Sequence, residues 1–286
     1  MTRTPRLGEG MAPDPGTVES GEHEPSIENL DPGFAGRQDR PVPGIGNGYL
    51  AGYRVRFDEA GADGRARTSS LLRYAQDIAW RHSEDLGFDR RWYTDQGRWW
   101  VVRSIELAVL APIPMGRLLR LSTAVIGHRR IWARRRGEFR LPDGQLAAVA
   151  MVDWVLLDGG GRLLRIPSDF GVVFPNVKLA GEILRVPLAA TPPEAAHIDI
   201  RARPQDLDPM GHVNNAVYLD WIEEVIEEAG DSDAPVRLPR SVSIEYSASA
   251  EPGDALTAAA WREAESWAVR LSRSSDGIDI VRARMA

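Results

Sequence analysis

The feature that most constrains the fold is an order of predicted elements that occurs twice along the chain. In each half, one strand is followed by a turn-rich segment, a single amphipathic helix and about four further strands. The first copy starts at Tyr53 and its helix follows Thr68–Ser70, whereas the second starts at His197 and its helix follows Asn214. Because each helix needs an apolar layer to cover its buried face, this order predicts an α+β fold with two antiparallel sheets, each wrapped around one long helix.

The predicted strands are rich in β-branched and aromatic residues and end at Gly, Pro, Arg or Asp. They span residues 53–57, 98–107, 118–127, 131–141 and 147–157 in the first half, and 197–201, 240–249, 255–262, 266–272 and 278–284 in the second. Thr68–Ser70 are predicted to cap the first helix, and Gly87 is predicted to end it. Tyr74 and Tyr218 are taken as matching positions of the two helices. The chain is therefore interpreted as an internal duplication.

The composition also indicates where the ordered part of the chain begins. Residues 1–47 are rich in Pro, Gly, Glu, Ser and Asp and poor in aliphatic side chains. Such a segment cannot offset its chain entropy by burial, so we predict a disordered N-terminal tail. The remainder divides into a first module at residues 48–165, a linker at 166–193 and a second module at 194–286.

Composition excludes several classes of function. The chain of 286 residues has no cysteine, which rules out disulfides, thiolate metal sites and cysteine nucleophiles. Its formal net charge of −6 argues against nucleic-acid binding. No apolar run approaches the ~18 residues of a membrane span, and the N-terminus lacks the apolar segment of a secretory signal, so we expect a cytoplasmic protein. No metal-binding spacing of His and no phosphate-binding Gly-rich loop is present, so no cofactor is expected.

Side chains that can perform chemistry are concentrated in the turn before the second helix. The stretch from Asp208 to Asn215 offers a carboxylate, an imidazole at His212 and two carboxamides. Val217 and Trp221 begin the apolar face of the helix that follows, so these polar groups lie at the start of a helix that packs into a core. A plain turn with Asn214 as the helix N-cap accounts for the same residues, and both interpretations stay open at this point.

These residues resemble a known family. The run from Asp208 to Asn215, followed by Tyr218, Trp221 and Glu224, looks like the second half of the fatty acyl-ACP thioesterases, which are double hotdog proteins. The first half is similar through the segments Tyr53–Arg56, Leu71–Leu72, Gln76–Asp77, His82, Leu86–Gly87, Trp154–Leu156 and Arg165–Pro167. The resemblance covers residues 49–284. It implies a tandem (double) hotdog that hydrolyses the thioester of fatty acyl-ACP without a cofactor, with catalytic residues in the second half and the acyl-chain pocket in the first.

The family's catalytic pattern is Asp-x-Asn-x-His, followed later in the chain by Glu. The Asp falls on Asp208 and the His on His212, but the Asn falls on Met210, whose thioether cannot orient a carboxylate as an amide can. The Glu falls near Ser249, and the nearest carboxylate is Glu251. A cysteine beside that Glu in the plant enzymes corresponds to Ala250, which is compatible with chemistry that uses a carboxylate and water.

The resemblance also suggests a role for each site residue. Asp208 would act as general base or as nucleophile, and His212 would hydrogen-bond the thioester carbonyl or the water. The backbone N–H groups near Asn214 and Asn215, at the positive end of the helix, would donate to the oxyanion. Glu251 is included as the candidate for the family's Glu.

A cluster of basic residues stands out in an otherwise acidic chain. It comprises His128, Arg129, Arg130, Arg134, Arg135 and Arg136. An exposed hairpin surface is one interpretation. The other is a docking patch for acyl carrier protein, an acidic partner that delivers the acyl chain on a phosphopantetheine arm, with Lys178 and Arg185 as extensions.

Two other functions fit the same residues. An acyl-CoA thioesterase would use the same chemistry on another carrier. A non-catalytic hotdog protein would bind acyl thioesters without cleaving them, an alternative suggested by Met210 and by Ser249 at the Glu position. The duplication is compatible with a monomer, although an exposed sheet edge would also allow a homodimer.

Overall fold

One antiparallel sheet of ten strands runs through both halves of the chain. The computed structural model describes residues 48–174, 179 and 182–286, so the prediction for residues 1–47 lies outside the described residues. The strands are β1 (Gly48–Arg54), β2 (Arg98–Val109), β3 (Leu118–His128), β4 (Trp132–Arg140), β5 (Leu146–Asp158), β6 (Ala196–Arg201), β7 (Arg240–Tyr246), β8 (Ala255–Glu263), β9 (Ser266–Arg273) and β10 (Asp279–Met285). The α-helices are α1 (Thr68–Asp85), α2 (Arg90–Gln96), α3 (Ser168–Val173) and α4 (Asn215–Glu228).

The strand order confirms the predicted α+β duplication. Read from the outer edge to the centre, the first half is β1-β3-β4-β5-β2 and the second is β6-β8-β9-β10-β7, which is the same order. The two five-stranded parts are continuous, because β2 pairs antiparallel with β7 from Ser104 opposite Glu245 to Val109 opposite Arg240. The long helices α1 and α4 each cover one part and contact each other.

The turn before each long helix defines the exact correspondence between the halves. Ala60 bridges Ala66 in the first half, and Leu207 bridges Val213 in the second, so the counterpart of a residue lies 147 positions further along. Arg73 and Asp220 are counterparts by this rule, and they form a 2.9 Å salt bridge between the two helices at the centre of the pseudo-symmetry. Tyr218 then corresponds to Leu71 rather than to Tyr74. The matching of the two tyrosines from sequence was wrong by three residues, nearly one helical turn.

Burial of one apolar face explains why the two long segments are helical. On α1, Leu71, Leu72 and Ile78 are 1% exposed, and on α4, Leu219 and Ile222 are fully buried. Each such side chain contributes roughly 1.5–3 kcal/mol relative to an exposed position. The sheet supplies the opposite layer, since α1 contacts β1 and β3, and α4 contacts β6, β8 and β9.

Three local predictions were wrong. The first strand ends at Arg54, because residues 57–59 form a single 3₁₀ turn instead. Thr68–Ser70 lie inside the first turn of α1, and the N-cap position is Arg67, whose side chain makes no capping hydrogen bond. No element was predicted between Gly87 and residue 98, but the segment around Trp92 forms α2, because the side chain of Asp89 accepts a hydrogen bond from the N–H of Trp92 and caps the helix.

His82 is a buried packing residue, as expected for a lone histidine on the apolar side of the first helix. The residue is 2% exposed, and Nη1 of Arg135 lies 2.8 Å from its Nδ1. Burial, and secondarily the charge of Arg135, lowers the pKa of His82 to about 3. The imidazole is therefore neutral in the folded protein, whereas it titrates near 6.5 in the unfolded chain.

We expect the His82→Gln variant to lose part of the acid sensitivity of the wild-type protein. A histidine with a depressed folded-state pKa contributes stability that is present above the unfolded pKa and is lost as the pH falls toward the folded value. Between pH 7 and pH 4.5, the wild-type free energy of unfolding should fall by up to roughly 3 kcal/mol more than that of the variant. Urea denaturation at both pH values measures this difference. The exposed His197 provides the control, His197→Gln, and equal losses in wild type and His82→Gln would contradict the prediction.

Candidate active site

The stretch from Asp208 to Val213 forms a narrow antiparallel turn immediately before α4. The N–H of Asp208 donates to the carbonyl of His212 at 2.9 Å, and the N–H of Gly211 donates to the carbonyl of Asp208 at 3.0 Å. Gly211 has a φ of 82°, in the left-handed region that glycine adopts without a steric penalty. Leu207 and Val213 bridge at the base of the turn. The backbones of Asp208 and His212 are therefore paired across one turn at the start of the helix.

One carboxylate oxygen of Asp208 accepts a hydrogen bond within the turn, and the other accepts none from the described residues. Its Oδ1 accepts a hydrogen bond from the N–H of Met210 at 2.8 Å. Its Oδ2 has no hydrogen-bond partner among the described residues, and the exposed imidazole of His212 has none there either. At the position where the family pattern has an amide side chain, a main-chain N–H thus orients the carboxylate. The side chain of Met210 is 44% exposed and is not needed for that contact.

The first residues of α4 present one free hydrogen-bond donor. Asn214 is the N-cap, and its Oδ1 accepts from the N–H of Ala216 at 2.9 Å. The N–H of Asn215 has no acceptor in the described part of the chain, while its carbonyl accepts from the hydroxyl of Tyr246 at 2.9 Å. Because a helix N-terminus carries a partial positive charge, the N–H of Asn215 is suited to stabilise a developing oxyanion.

The loop after β7 is fixed against the turn through Ala250. The carbonyl of Ala250 accepts from the N–H of Val213 at 3.2 Å, and its N–H donates to the hydroxyl of Tyr218 at 2.9 Å. Burial raises the pKa of Tyr218 to about 12, so this hydroxyl stays protonated. Glu251 follows directly and is exposed, but no hydrogen bond within the described residues joins its carboxylate to Asp208. The structure brings four of the predicted site residues to one helix start, with Glu251 on the neighbouring loop.

The basic run that was interpreted as a docking patch divides between the two faces of the sheet. Arg129 and Arg130 are exposed in the turn between β3 and β4. Arg135 is only 8% exposed, because side chains alternate along β4 and this one faces α1 and His82. The prediction that Arg135 contributes to a docking surface was therefore wrong. Lys178 lies outside the described residues.

The other two arginines of the run are held by carboxylates. Arg134 lies opposite Asp153 on β5 and donates to both of its carboxylate oxygens, at 2.7 and 2.8 Å. Arg136 forms a 2.8 Å salt bridge with Glu138 on its own strand. Their charges are partly neutralised within the fold, so Arg129 and Arg130 are the members of the run that are most available to an acidic partner.

The sequence analysis did not single out Glu223, one of several carboxylates on the second helix. Its Oε1 is inaccessible to solvent and has no hydrogen-bond partner among the described residues, and burial raises the pKa of Glu223 to about 7. The signal was present in the helical spacing, because Glu223 follows the buried Leu219 by four residues and adjoins the buried Ile222. It borders a cavity of about 80 Å³ that lies at the start of α1 rather than at the Asp208 turn.

Comparison with known proteins adds to this geometry. A model of the acyl-ACP thioesterase N-terminal domain matches residues 46–172, and a model of the acyl-ACP thioesterase C-terminal domain matches residues 190–285. The chain belongs to the acyl-ACP thioesterase family. The family resemblance read from the residues is thereby confirmed, and residues 208–215 lie within the second match.

Individual relatives are distant in sequence and similar in fold. The oleoyl-acyl carrier protein thioesterase 1, chloroplastic, of Arabidopsis thaliana is 23% identical over 204 residues, which cover 64% of this chain and 56% of that protein. The chain thus spans little more than half the length of this curated relative. A putative oleoyl thioesterase from Lactobacillus plantarum superposes with a TM-score of 0.74 at 20% identity, covering 85% of this chain and 96% of that one. The 12:0-ACP thioesterase from Umbellularia californica gives 0.71 at 20% identity, covering 84% and 96%. These superpositions confirm the double hotdog fold.

The described residues were also compared with what a metal site and a membrane-spanning helix require. Among the described residues, no three His, Asp or Glu side chains are grouped so as to hold a metal ion. Within the same residues, no helix is long and apolar enough to cross a membrane.

Proposed function

We propose that this protein hydrolyses the thioester of fatty acyl-ACP and releases free fatty acid and ACP. The observation that carries the proposal is the pairing of Asp208 and His212 across one turn at the start of α4, beside the free N–H of Asn215. The second module, residues 194–286, would supply the chemistry, and the first, residues 48–165, would hold the acyl chain, with residues 166–193 as linker. Membership of the acyl-ACP thioesterase family supports this assignment.

The free Oδ2 of Asp208 is the atom that would act on water. As general base, it would accept a proton while the water oxygen adds to the thioester carbonyl carbon. The resulting oxyanion would accept a hydrogen bond from the N–H of Asn215, with His212 as a second donor. Collapse of the tetrahedral intermediate would then break the C–S bond, and the thiolate of the phosphopantetheine arm would take up the proton. As nucleophile, Asp208 would instead form a mixed anhydride that water cleaves.

The experiment that tests the proposal measures free thiol and free fatty acid released from a panel of acyl-ACPs of different chain length. Turnover of at least one acyl-ACP is expected, with slower turnover of the same acyl chain on CoA. Faster turnover on CoA would identify an acyl-CoA thioesterase. A protein that binds acyl-ACP but releases neither product would be a non-catalytic binder.

Arg129 and Arg130 are proposed to contact acyl carrier protein. Replacing both with Ser should raise KM for acyl-ACP by about tenfold, because each exposed charge pair contributes roughly 0.7 kcal/mol. KM for the same acyl chain on a simple thiol should be unchanged, since that substrate has no acidic protein to attract. Arg54 and Arg201 provide the control, because both are exposed and lie on the outer strands β1 and β6. Replacing both with Ser removes the same amount of positive charge as replacing Arg129 and Arg130. Equal KM changes for both substrates, or for both double variants, would refute docking at this turn.

The predictions for location and assembly belong to the same proposal. A cytoplasmic location is proposed from the absence of cysteine in the sequence. A monomer is proposed from the duplication. The outer strands β1 and β6 would be the edges through which a homodimer forms, and light scattering of the purified protein distinguishes the two states.

A further inference from the structure

The start of α1 borders a cavity that is the pseudo-symmetric counterpart of the candidate active site. Its volume is about 80 Å³. One wall is the turn and first residues of α1, from Asp63 to Leu71, and another is the end of β2 with the segment to Ile113. The second half of the chain closes it with Glu223 from α4 and Arg240 from β7. Both halves therefore contribute charged groups to one partly open cavity.

Arg240 and Glu223, which line this cavity, each have a buried side-chain atom without a hydrogen-bond partner among the described residues. Arg240 is 9% exposed. Its Nη2 donates to the hydroxyl of Thr68 at 2.8 Å and its Nη1 to the carbonyl of Arg237 at 3.3 Å, but its Nε has no partner. Oε1 of Glu223 is equally buried and unpartnered. A buried polar atom without a partner is costly, so each of these atoms marks a place where a ligand atom would be stabilised.

The start of α1 adds further donors because it lacks the cap that α4 has. The N–H of Ala216 is bound by Oδ1 of Asn214, whereas its counterpart in α1, the N–H of Ser69, faces Arg67 at the N-cap position. A guanidinium cannot accept a hydrogen bond. The N–H groups of Thr68 and Ser69 consequently have no acceptor within the described residues. Together with Nε of Arg240, they form a set of donors at the positive end of an 18-residue helix.

We infer that this cavity is a second ligand site, which binds a short-chain carboxylate. The carboxylate oxygens would accept hydrogen bonds from Arg240 and from the start of α1. The apolar side chains of Leu71, Val109 and Ile113 in the wall favour an organic acid over an inorganic anion. Since one water-sized group needs roughly 10–15 Å³ of such volume, the cavity holds a small acid but not a long acyl chain. The inference does not depend on the hydrolytic activity proposed above.

Protonation of Glu223 should be coupled to this binding. Burial is the main cause that raises the pKa of Glu223 to about 7. The hydrogen bond from Thr68 and the charges of Arg240 and Arg67 oppose this rise, and the charge of Asp220 adds to it. Asp63 and Arg65, in the turn before α1, also act on Arg240. A protonated Glu223 donates to a bound carboxylate, whereas an ionised one repels it. The affinity should therefore be constant below the pKa of Glu223 and fall roughly tenfold per pH unit above it.

Titration calorimetry with acetate and butyrate from pH 6 to pH 9 tests the inference. The affinity of the wild-type protein for butyrate should fall tenfold for each pH unit above the pKa of Glu223. Glu223→Gln should remove that pH dependence, and Arg240→Gln should weaken binding at least tenfold. Glu227→Gln, an exposed change of the same kind on α4, should behave as wild type. Binding that does not respond to Arg240→Gln or to pH would overturn the inference.

A cap transplanted from α4 to α1 provides an independent test. Arg67→Asn should occupy the N–H of Ser69, as Asn214 does for Ala216, and should weaken butyrate binding more than Arg67→Gln, which removes the same charge without capping. Capping should also raise the thermal midpoint of unfolding, so lost binding with intact folding can be recognised. Equal binding of inorganic phosphate would contradict the assignment to carboxylates. Loss of butyrate binding in Asp208→Asn, with Arg240→Gln unaffected, would place the ligand at the Asp208 turn instead.

Discussion

Asp208→Asn and His212→Ala should each lower kcat for acyl-ACP hydrolysis by roughly 10²–10⁴-fold. The amide of Asn can still accept the hydrogen bond from the N–H of Met210, so the turn should keep its shape while losing the base. His212 is exposed and without a partner in the described part of the chain, so its removal should leave the fold intact. Stopped assays that measure both thiol and fatty acid give kcat and KM separately, and KM should change much less than kcat.

A matched control separates the loss of a base from the loss of a charge. Asp233 is exposed and its side chain makes no ion pair among the described residues, so Asp233→Asn should leave kcat within about twofold. Circular dichroism should give the same melting temperature for Asp208→Asn and wild type. Retention of more than a tenth of wild-type kcat by both Asp208→Asn and His212→Ala would move the chemistry away from this turn.

A single turnover in isotopically labelled water distinguishes the two roles considered for Asp208. If Asp208 activates water, the label enters the fatty acid alone. If Asp208 is the nucleophile and water attacks its side of the anhydride, the label enters the Asp208 carboxylate, where mass spectrometry of the peptide detects it. Label in Asp208 would contradict the general-base role, because only a covalent intermediate on Asp208 exposes that carboxyl carbon to attack by water.

The duplicated order of elements and the candidate site could be read from the sequence because both depend on local patterns. The spacing of apolar residues predicted each long helix, and the run from Asp208 to Asn215 lies within one turn whose geometry is local. The register between distant strands could not be read. Alternation along β4 puts Arg134 and Arg135 on opposite faces, but only the strand register places Asp153 of β5 opposite Arg134. The docking interpretation consequently included Arg135, which is buried, and Arg134, which Asp153 holds.

The burial of Glu223 illustrates the same limit within a helix. Its spacing from Leu219 put it close to the apolar face, yet four further carboxylates on the helix made a polar assignment the simpler one. What buries its carboxyl is the start of α1, which comes from the other half of the chain. Contacts across the pseudo-symmetry axis depend on tertiary packing, and no pattern within α4 contains them.

Asp153→Ala should lower the free energy of unfolding by about 3 kcal/mol, because it removes a buried carboxylate that is paired with an arginine. Asp153 is 2% exposed and accepts from the hydroxyl of Ser104 at 3.0 Å, from Arg134 in a bidentate pair and from the N–H of Leu184 at 3.2 Å. Its removal leaves Arg134, whose side chain is 15% exposed, as an unpaired charge and releases the segment around Leu184 from the sheet. Urea denaturation at pH 7 measures the change.

A double variant decides whether the cost comes from the unpaired arginine. Replacing Arg134 with Met and Asp153 with Leu removes both charges and fills the space. This double variant should be less destabilised than Asp153→Ala, because removing one partner leaves a buried charge unpaired, whereas replacing both partners with apolar residues leaves none. Asp95→Ala breaks the pair with Arg91, which is exposed on both sides, and should cost no more than ~1 kcal/mol. If the double variant is as unstable as Asp153→Ala, the hydrogen bonds to Ser104 and Leu184 carry the effect. Asp153 would then act as the anchor of the linker, with the arginine secondary.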